Sequence, residues 1–535
     1  MSKRRRILLI LAVPLGLLVL LGVTVLLALT TQSGLNTLLS LTNYLTKGQV
    51  VVESGQGRLS SGLTLSGLRY AGAGTELVID ERELQWQPVS LLRKDLKVQN
   101  LRVRGVQLHL PVSEEPEQAT QPVRLPAFSF PVAVHADRVL VEDLHIFSGD
   151  ADQFSLSRAE AEQLVAQGEQ LQFDRLAVKN SWMDIESTGQ VQSKGDYPLQ
   201  LEVTYGFDFE GYCPIRGNGQ LTGDLAKLDV QTALTAPQEA SLQGELSQVL
   251  NDLRWQAILQ SPHLALDAIN GSWPAQVFDQ VQIEGSGDIR SYDLKVNGRV
   301  ISKEFRRPLA LQSALQVDWE GLVIHALRLA HTAGHLDLAG SLDWSPTLAW
   351  DAKLTSKELN PDIVVENLPG SLDGNLATQG SWADGVLATE LHIDTLKGQL
   401  RGYPLSASGA VSYREGALNI PGLNAAVGRT TLALQGTLQE QVALDLQLNS
   451  PDLQELLPEL GGSLQAEATV RGSRQEPAIA MDLQGENLAF SGNRIETLNG
   501  TAQGAWNADG AIQAQLQASA LQIGANQIDQ AQIRL

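Results

Sequence analysis

"HTAGH", His331 to His335, is the nearest this sequence comes to a metal site. Two histidines four apart come close enough to share a metal only on a helix. These sit in strand and turn texture with no carboxylate pair close by, so they are not expected to hold a metal. "GNGQLTG" from Gly217 imitates a loop that cradles phosphate. Such a loop opens a helix, whereas a strand-like stretch follows here, and turn glycines are the expectation. The sequence has no GxSxG, HExxH, Walker A or CxxC. No catalytic residue, metal or cofactor is therefore expected, and the chain is read as a non-enzyme. One cysteine, Cys213, rules out an internal disulfide framework. A net charge of −21 argues against nucleic acid, which needs clustered Lys and Arg. The acidic residues are scattered on the polar positions of strands, where a solvated face also discourages edge-to-edge aggregation. Nine Trp have no fixed spacing; Trp255 and Trp350 recur between repeats and are read as packing residues.

What the chain has in quantity is alternation. "TLALQGTLQEQVALDLQLNSPDL", Thr431 to Leu453, puts Leu432, Leu434 and Leu438 on one parity, then Leu444, Leu446 and Leu448 on one parity again. A strand with that pattern has one greasy and one wet face. The same texture begins at Val50 and resumes at Val132, with Gly where turns belong. Between them Pro111 to Pro131 holds five prolines and three glutamates and reads as an exposed loop. Leu35 to Tyr44 could form two or three turns of helix. Ser157 to Gln167 ("SRAEAEQLVAQ") is ambiguous between helix and strand.

The N-terminus carries a different signal. Lys3, Arg4, Arg5 and Arg6 precede Ile7 to Leu29, an apolar run broken only by Pro14, Gly16, Gly22 and Thr24. Those residues, Ile7, Leu11, Leu18, Leu26 and Leu29 among them, would span about 35 Å as a helix, enough for a bilayer core. A cleaved signal peptide has a shorter apolar region and a better cleavage site than "LALTTQSG". An uncleaved anchor is expected, with the basic tail in the cytoplasm and everything after residue 30 across the membrane.

Internal repetition sets the architecture. "LQGEL", "LAGSL" and "LQGTL" place their glycines at 244, 340 and 436, a period of 96. Each is followed by a strand and a similar tag: "RWQAILQSPHL", "AWDAKLTSKEL" and "ALDLQLNSPDL". Such units bury an apolar face only by stacking edge to edge. The expected fold is mostly β: a transmembrane helix, then a long curled sheet forming an elongated, repeat-built hydrophobic groove. A closed solenoid with a dry core is the competing architecture. About 40 strands at ~4.8 Å would give a sheet on the order of 190 Å long. Leu242, Leu246, Leu336, Leu338 and Leu342 join the six leucines above as candidate groove lining. The domain reading is a basic tail (1–6), an anchor (7–29), a first β region (30–110), a Pro-rich loop (111–131) and the groove (132–535), ending in mid-repeat.

"GQGRLSSGLTLSGLRY", "LQWQPVSLLRKDLKVQNLRVRGVQLHLP", the Pro-rich interruption and "YPLQLEVTYGFDFEGYCPIRGNGQLTGDLAKLDV" together resemble the TamB family of AsmA-like, inner-membrane-anchored proteins of Gram-negative bacteria. "LNPDIVVENLPGSLDGNLATQGSW" looks like that family's recurrent Asn-Pro and Pro-Gly segment. The resemblance covers essentially the whole chain in order. It implies a taco-shaped β-groove crossing the periplasm and passing phospholipid acyl chains from the inner toward the outer membrane, with the outer-membrane barrel protein TamA as partner. The alternative it carries is a scaffold that helps insert autotransporters and other outer-membrane β-barrels. Family members are more than twice this length, so a portion of a longer protein or a shortened member is expected, with TamA contacts in the missing C-terminal part.

Overall fold

The structure, a computed structural model, describes residues 29–72, 75–110, 127–149, 151–332, 334–505, 513–523 and 526–534. The basic tail, nearly all of the expected anchor (7–28) and most of the Pro-rich stretch lie outside them. Among the described residues no helix is long and apolar enough to cross a membrane. The chain is mostly β and divides into two compact units, residues 1–275 and 276–535.

The first unit opens with helix α1 (Gln32–Leu45), close to the expected Leu35 to Tyr44. Thr31 caps it, its Oγ1 accepting from Gly34 N at 3.1 Å. The helix is held on β1 (Val50–Arg58), where Gln32 grips the backbone with both ends of its amide. Its Nε2 donates to Gly55 O at 2.6 Å and its Oε1 accepts from Gly57 N at 2.7 Å. Gly55 has no side chain because Leu39, Leu65 and Leu35 occupy that space, and Leu35 is buried there. β1 pairs antiparallel with β2 (Gly62–Gly72), then β3 (Thr75–Gln87) and β4 (Asp95–Leu110). β4 pairs parallel with β5 (Phe130–Ser148). A parallel step needs a connection of about a dozen residues or more, and the Pro-rich stretch supplies one. β5 begins at Phe130, and a register irregularity between Phe130 and Val134 accommodates Pro131. The meander continues through β6 (Ala151–Gly168), β7 (Gln170–Lys179), β8 (Met183–Gln192) and five further strands to Arg254–Ala265. β6 contains Ser157 to Gln167, so cross-strand pairing overrode that stretch's helix-compatible composition.

The second unit is an antiparallel ladder of seventeen described strands, from Val277–Gly287 to Asn526–Arg534. The 96-residue period corresponds to six strands closed by a short helical turn, at Pro361–Ile363 and again at Leu453–Glu455. The strand carrying the tag that ends the first unit, Arg254–Ala265, is likewise followed by one turn, α2 (Leu266–Ile269). The turn at Leu453–Glu455 is fastened by a buried carboxylate. Glu455 accepts from Arg429 N at 2.7 Å, Thr430 N at 3.0 Å, Thr430 Oγ1 at 3.1 Å and Arg429 Nε at 3.2 Å. The Thr430 and Ser450 hydroxyls meet beneath it at 2.8 Å.

The repeated glycines have a common cause. A Cβ built on Gly244, Gly340 or Gly436 would strike the next strand's backbone carbonyl, that of Gln256, Asp351 or Ala443. Gly436 also has φ +132°, where only glycine is comfortable. The signature residue therefore marks a close approach of adjacent backbones, once per repeat.

Candidate functional site: an apolar face carried by strand register

The pairing register turns alternation within strands into continuous rows across them. Leu434 lies opposite Leu446 and Leu432 opposite Leu448. Going one way, Leu434 faces Leu423; going the other, Leu446 faces Ala468 and then Met481. Upstream the same row runs Leu327, Leu338, Leu354, Leu376, Ile393 and Gly409. From Ile283 to Ala514 it crosses sixteen strands of the second unit, and its one polar member is Ser313. Directly opposed residues in an antiparallel pair share a face, so this is one apolar stripe. Leu336 and Leu342 lie on parallel rows, opposite Leu329 and Leu322, and Leu342 also faces Trp350. In the first unit Leu242 opposes Leu259, and Leu246 lies between Leu228 and Trp255. The Trp350 indole lies over Gly380 and donates to Thr378 Oγ1 at 3.3 Å, which makes it a packing residue of this face.

All eleven candidate leucines are partly sheltered, and none is buried. Every described strand of the second unit belongs to the one ladder, so no second sheet lies over the stripe. Among the described residues of the whole chain, only twenty hydrophobic side chains are buried. A closed, dry core would bury most of the leucines, so the face is open. The neighbouring polar rows are more exposed. One runs Asn449, Gln465, Gln484, Asn499 and Gln517 across five strands, and a depression of about 1100 Å³ opens on that polar side among Asn424, Gln447, Gln465, Glu467 and Asp482.

The other sequence features do not form a site. The β-hairpin places His331 opposite Gly334 and His335 opposite Ala330, so the two imidazoles point to opposite faces. His335 instead approaches Asp337 at 3.5 Å, and among the described residues no cluster could hold a metal. "GNGQLTG" is the interior of strand Ile215–Gly223, not a turn. Its Gly217 makes room for the Tyr205 ring, and Gly219 for the neighbouring Gln231 carbonyl.

Two constellations were not visible in the sequence. On the polar face of the first unit several acidic residues are paired, not merely solvated. Glu160, buried in β6, accepts from Arg138 and Arg158, each at 2.7 Å, while Arg102 binds Glu142 at 2.8 Å and Arg175 binds Glu186 at 2.6 Å. Burial pushes the Glu160 pKa up, but the bonds from Arg158 and Arg138 outweigh it and hold the carboxyl below its usual range. The second constellation is on the apolar face. Arg82 sits opposite Leu65 and Val103, and Trp86 opposite Val98. The Arg82 Nε and Nη2 and the Trp86 Nε1 are buried with no hydrogen-bond partner.

A stacked run of strands bearing one open apolar stripe, led by a short helix, is the geometry to set beside known proteins. A family model described as TamB, N-terminal domain, matches residues 20–144 and 117–535. The chain belongs to the TamB family. It is 25% identical over 392 residues to the translocation and assembly module subunit TamB of Haemophilus influenzae. That match takes in 67% of this chain and 29% of the relative, so the chain corresponds to under a third of that protein's length.

Proposed function

We propose that this TamB-family chain is part of a lipid conduit, in which phospholipid acyl chains lie along the apolar stripe while headgroups stay in water. The observation that carries the reading is the stripe's continuity in register over sixteen strands together with its incomplete burial. Each methylene kept from water is worth about 0.8 kcal/mol, so two long acyl chains would face roughly 20 kcal/mol on crossing water unaided. An aliphatic face removes much of that barrier and, having few donors or acceptors, holds every acyl chain about equally. Weak uniform binding permits sliding.

In this reading residues 7–29 anchor the chain in the inner membrane and the strands extend into the periplasm. The outer-membrane barrel protein TamA is the partner the family resemblance implies, through a region beyond the stretch matched here. The relative's name, a translocation and assembly module subunit, favours a second reading in which the sheet is a scaffold for inserting outer-membrane proteins. The two differ in cargo. Native mass spectrometry of the purified chain is expected to find bound phospholipid that survives delipidated washes. A lipid-free protein that captures unfolded outer-membrane barrel segments would replace the conduit with the scaffold.

A further inference from the structure

β3 sends three side chains of one parity, Arg82, Leu84 and Trp86, onto the apolar face of the first unit. Leu84 lies between Leu63 and Leu101, as the alternation requires. Arg82 does not fit that pattern. Its neighbours across the strands are Leu65 and Val103, and the carboxylates beside it in sequence, Glu81 and Glu83, belong to the opposite parity. It makes no salt bridge, two of its nitrogens are buried without an acceptor, and the Trp86 indole N–H is in the same condition. Burial alone lowers the Arg82 pKa, with no carboxylate opposing it, yet a guanidinium stays charged. A half-buried cation with two shielded nitrogens and no counter-ion is costly, and any oxyanion that reaches it is held strongly.

The place of these donors in the fold indicates where an oxyanion would come from. Ser60 N donates to Leu29 O at 2.8 Å and Trp86 N donates to Ser61 O at 3.2 Å. The end of β3 is therefore next to the point where the chain continues into the apolar run 7–29. The turn that follows β3, Pro88–Arg93, exposes Val89 (73%) and Leu92 (87%) beside Arg93 and Lys94. Exposed apolar residues flanked by basic ones suit a bilayer interface.

We propose that Arg82 and Trp86 form a phosphoryl-binding step at the membrane-proximal mouth of the apolar face, taking the phosphodiester of a glycerophospholipid. This rests on the lipid reading and deepens it. Arg82 has no hydrogen bond to break, so swinging its guanidinium toward the phosphate costs only rotamer freedom. The acyl chains would then lie on Leu63, Leu84 and Leu101, which selects for lipids that carry a phosphate at the start of the path.

The test uses the full chain reconstituted in phosphatidylcholine vesicles, with phosphatidylglycerol or diacylglycerol probes bearing the same photoreactive acyl chain. In Arg82→Met, phosphatidylglycerol labelling of β2 and β4 is expected to fall about tenfold, the loss of one charge-assisted hydrogen bond, while diacylglycerol labelling is unchanged. Trp86→Phe should lower phosphatidylglycerol labelling in the same sense by a smaller factor. Equal loss of both probes in Arg82→Met would make the residue structural and overturn the proposal. Unchanged labelling by both would also overturn it, as would selective displacement of phosphatidylglycerol by excess inorganic phosphate, which would make the ligand a free anion. If the wild-type chain labels with neither probe, the conduit reading itself fails.

Discussion

Glu455 shows how much one side chain can hold in a sheet this open. It is only 3% exposed and receives four hydrogen bonds, two of them from the backbone of the hairpin before it. Burial pushes its pKa up, but the Arg429 and Thr430 bonds outweigh that and hold it below the ordinary carboxylate range. A carboxyl with a depressed folded pKa contributes stability that is present above the unfolded value of about 4.3. That stability is lost as pH falls through the folded value. Glu455→Gln should therefore cost roughly 1–3 kcal/mol at neutral pH, because donors are left poorly matched. Its penalty should shrink toward zero in acid, where the wild-type carboxyl is itself protonated. Thermal melts of both proteins from pH 7 to pH 3 check this, and a penalty independent of pH would contradict it. Glu160 has the same sign of shift and should add to the acid sensitivity of the first unit.

The strands themselves could be read directly from the residues. Leu432 to Leu438 and Leu444 to Leu448 fall within the strands Thr430–Leu438 and Gln441–Ser450, and the helix at Gln32–Leu45 covers the stretch expected of it. What could not be read depends on register, which alternation alone does not fix. The parallel pairing of β4 with β5, the arginine cradle of Glu160 and the unpaired Arg82 each need to know which residue lies opposite which. "GNGQLTG" failed for a related reason. A strand glycine that clears space for Tyr205 looks, in sequence, like a turn glycine. The repeat glycines give a test at this scale. Gly340→Val must push the strand Leu348–Leu359 away, and overpacking of this kind costs about 1–3 kcal/mol. Hydrogen exchange should speed up in Gly334–Asp343 and Leu348–Leu359, while the strand Gln441–Ser450 keeps its wild-type protection. Uniform loss across the second unit would show that its strands do not act as near neighbours only.

At the scale of the molecule, stacked strands make stability a sum over neighbours and leave the apolar stripe without a covering layer. Such a face is a liability in water unless something apolar rests on it. The anchor proposed for residues 7–29 belongs to the same account. The mature protein should fractionate with the inner membrane and retain its basic tail, and a soluble form beginning near Thr31 would contradict that. The claim everything else depends on is that the stripe carries lipid. Leu434 lies on the stripe opposite Leu446, while its neighbour Gln435 faces the wet side opposite Asp445, itself paired with Arg471. The most direct measurement places a photoreactive residue at each position in living cells and follows lipid crosslinking, with Leu434→Asp and Gln435→Glu as companions. The account predicts phospholipid adducts from position 434 and not 435. It also predicts a folded Leu434→Asp protein that no longer supports adducts further along the stripe, because a charge there must be desolvated for acyl chains to pass. Equal labelling at both positions, or undiminished lipid passage in Leu434→Asp, would contradict it.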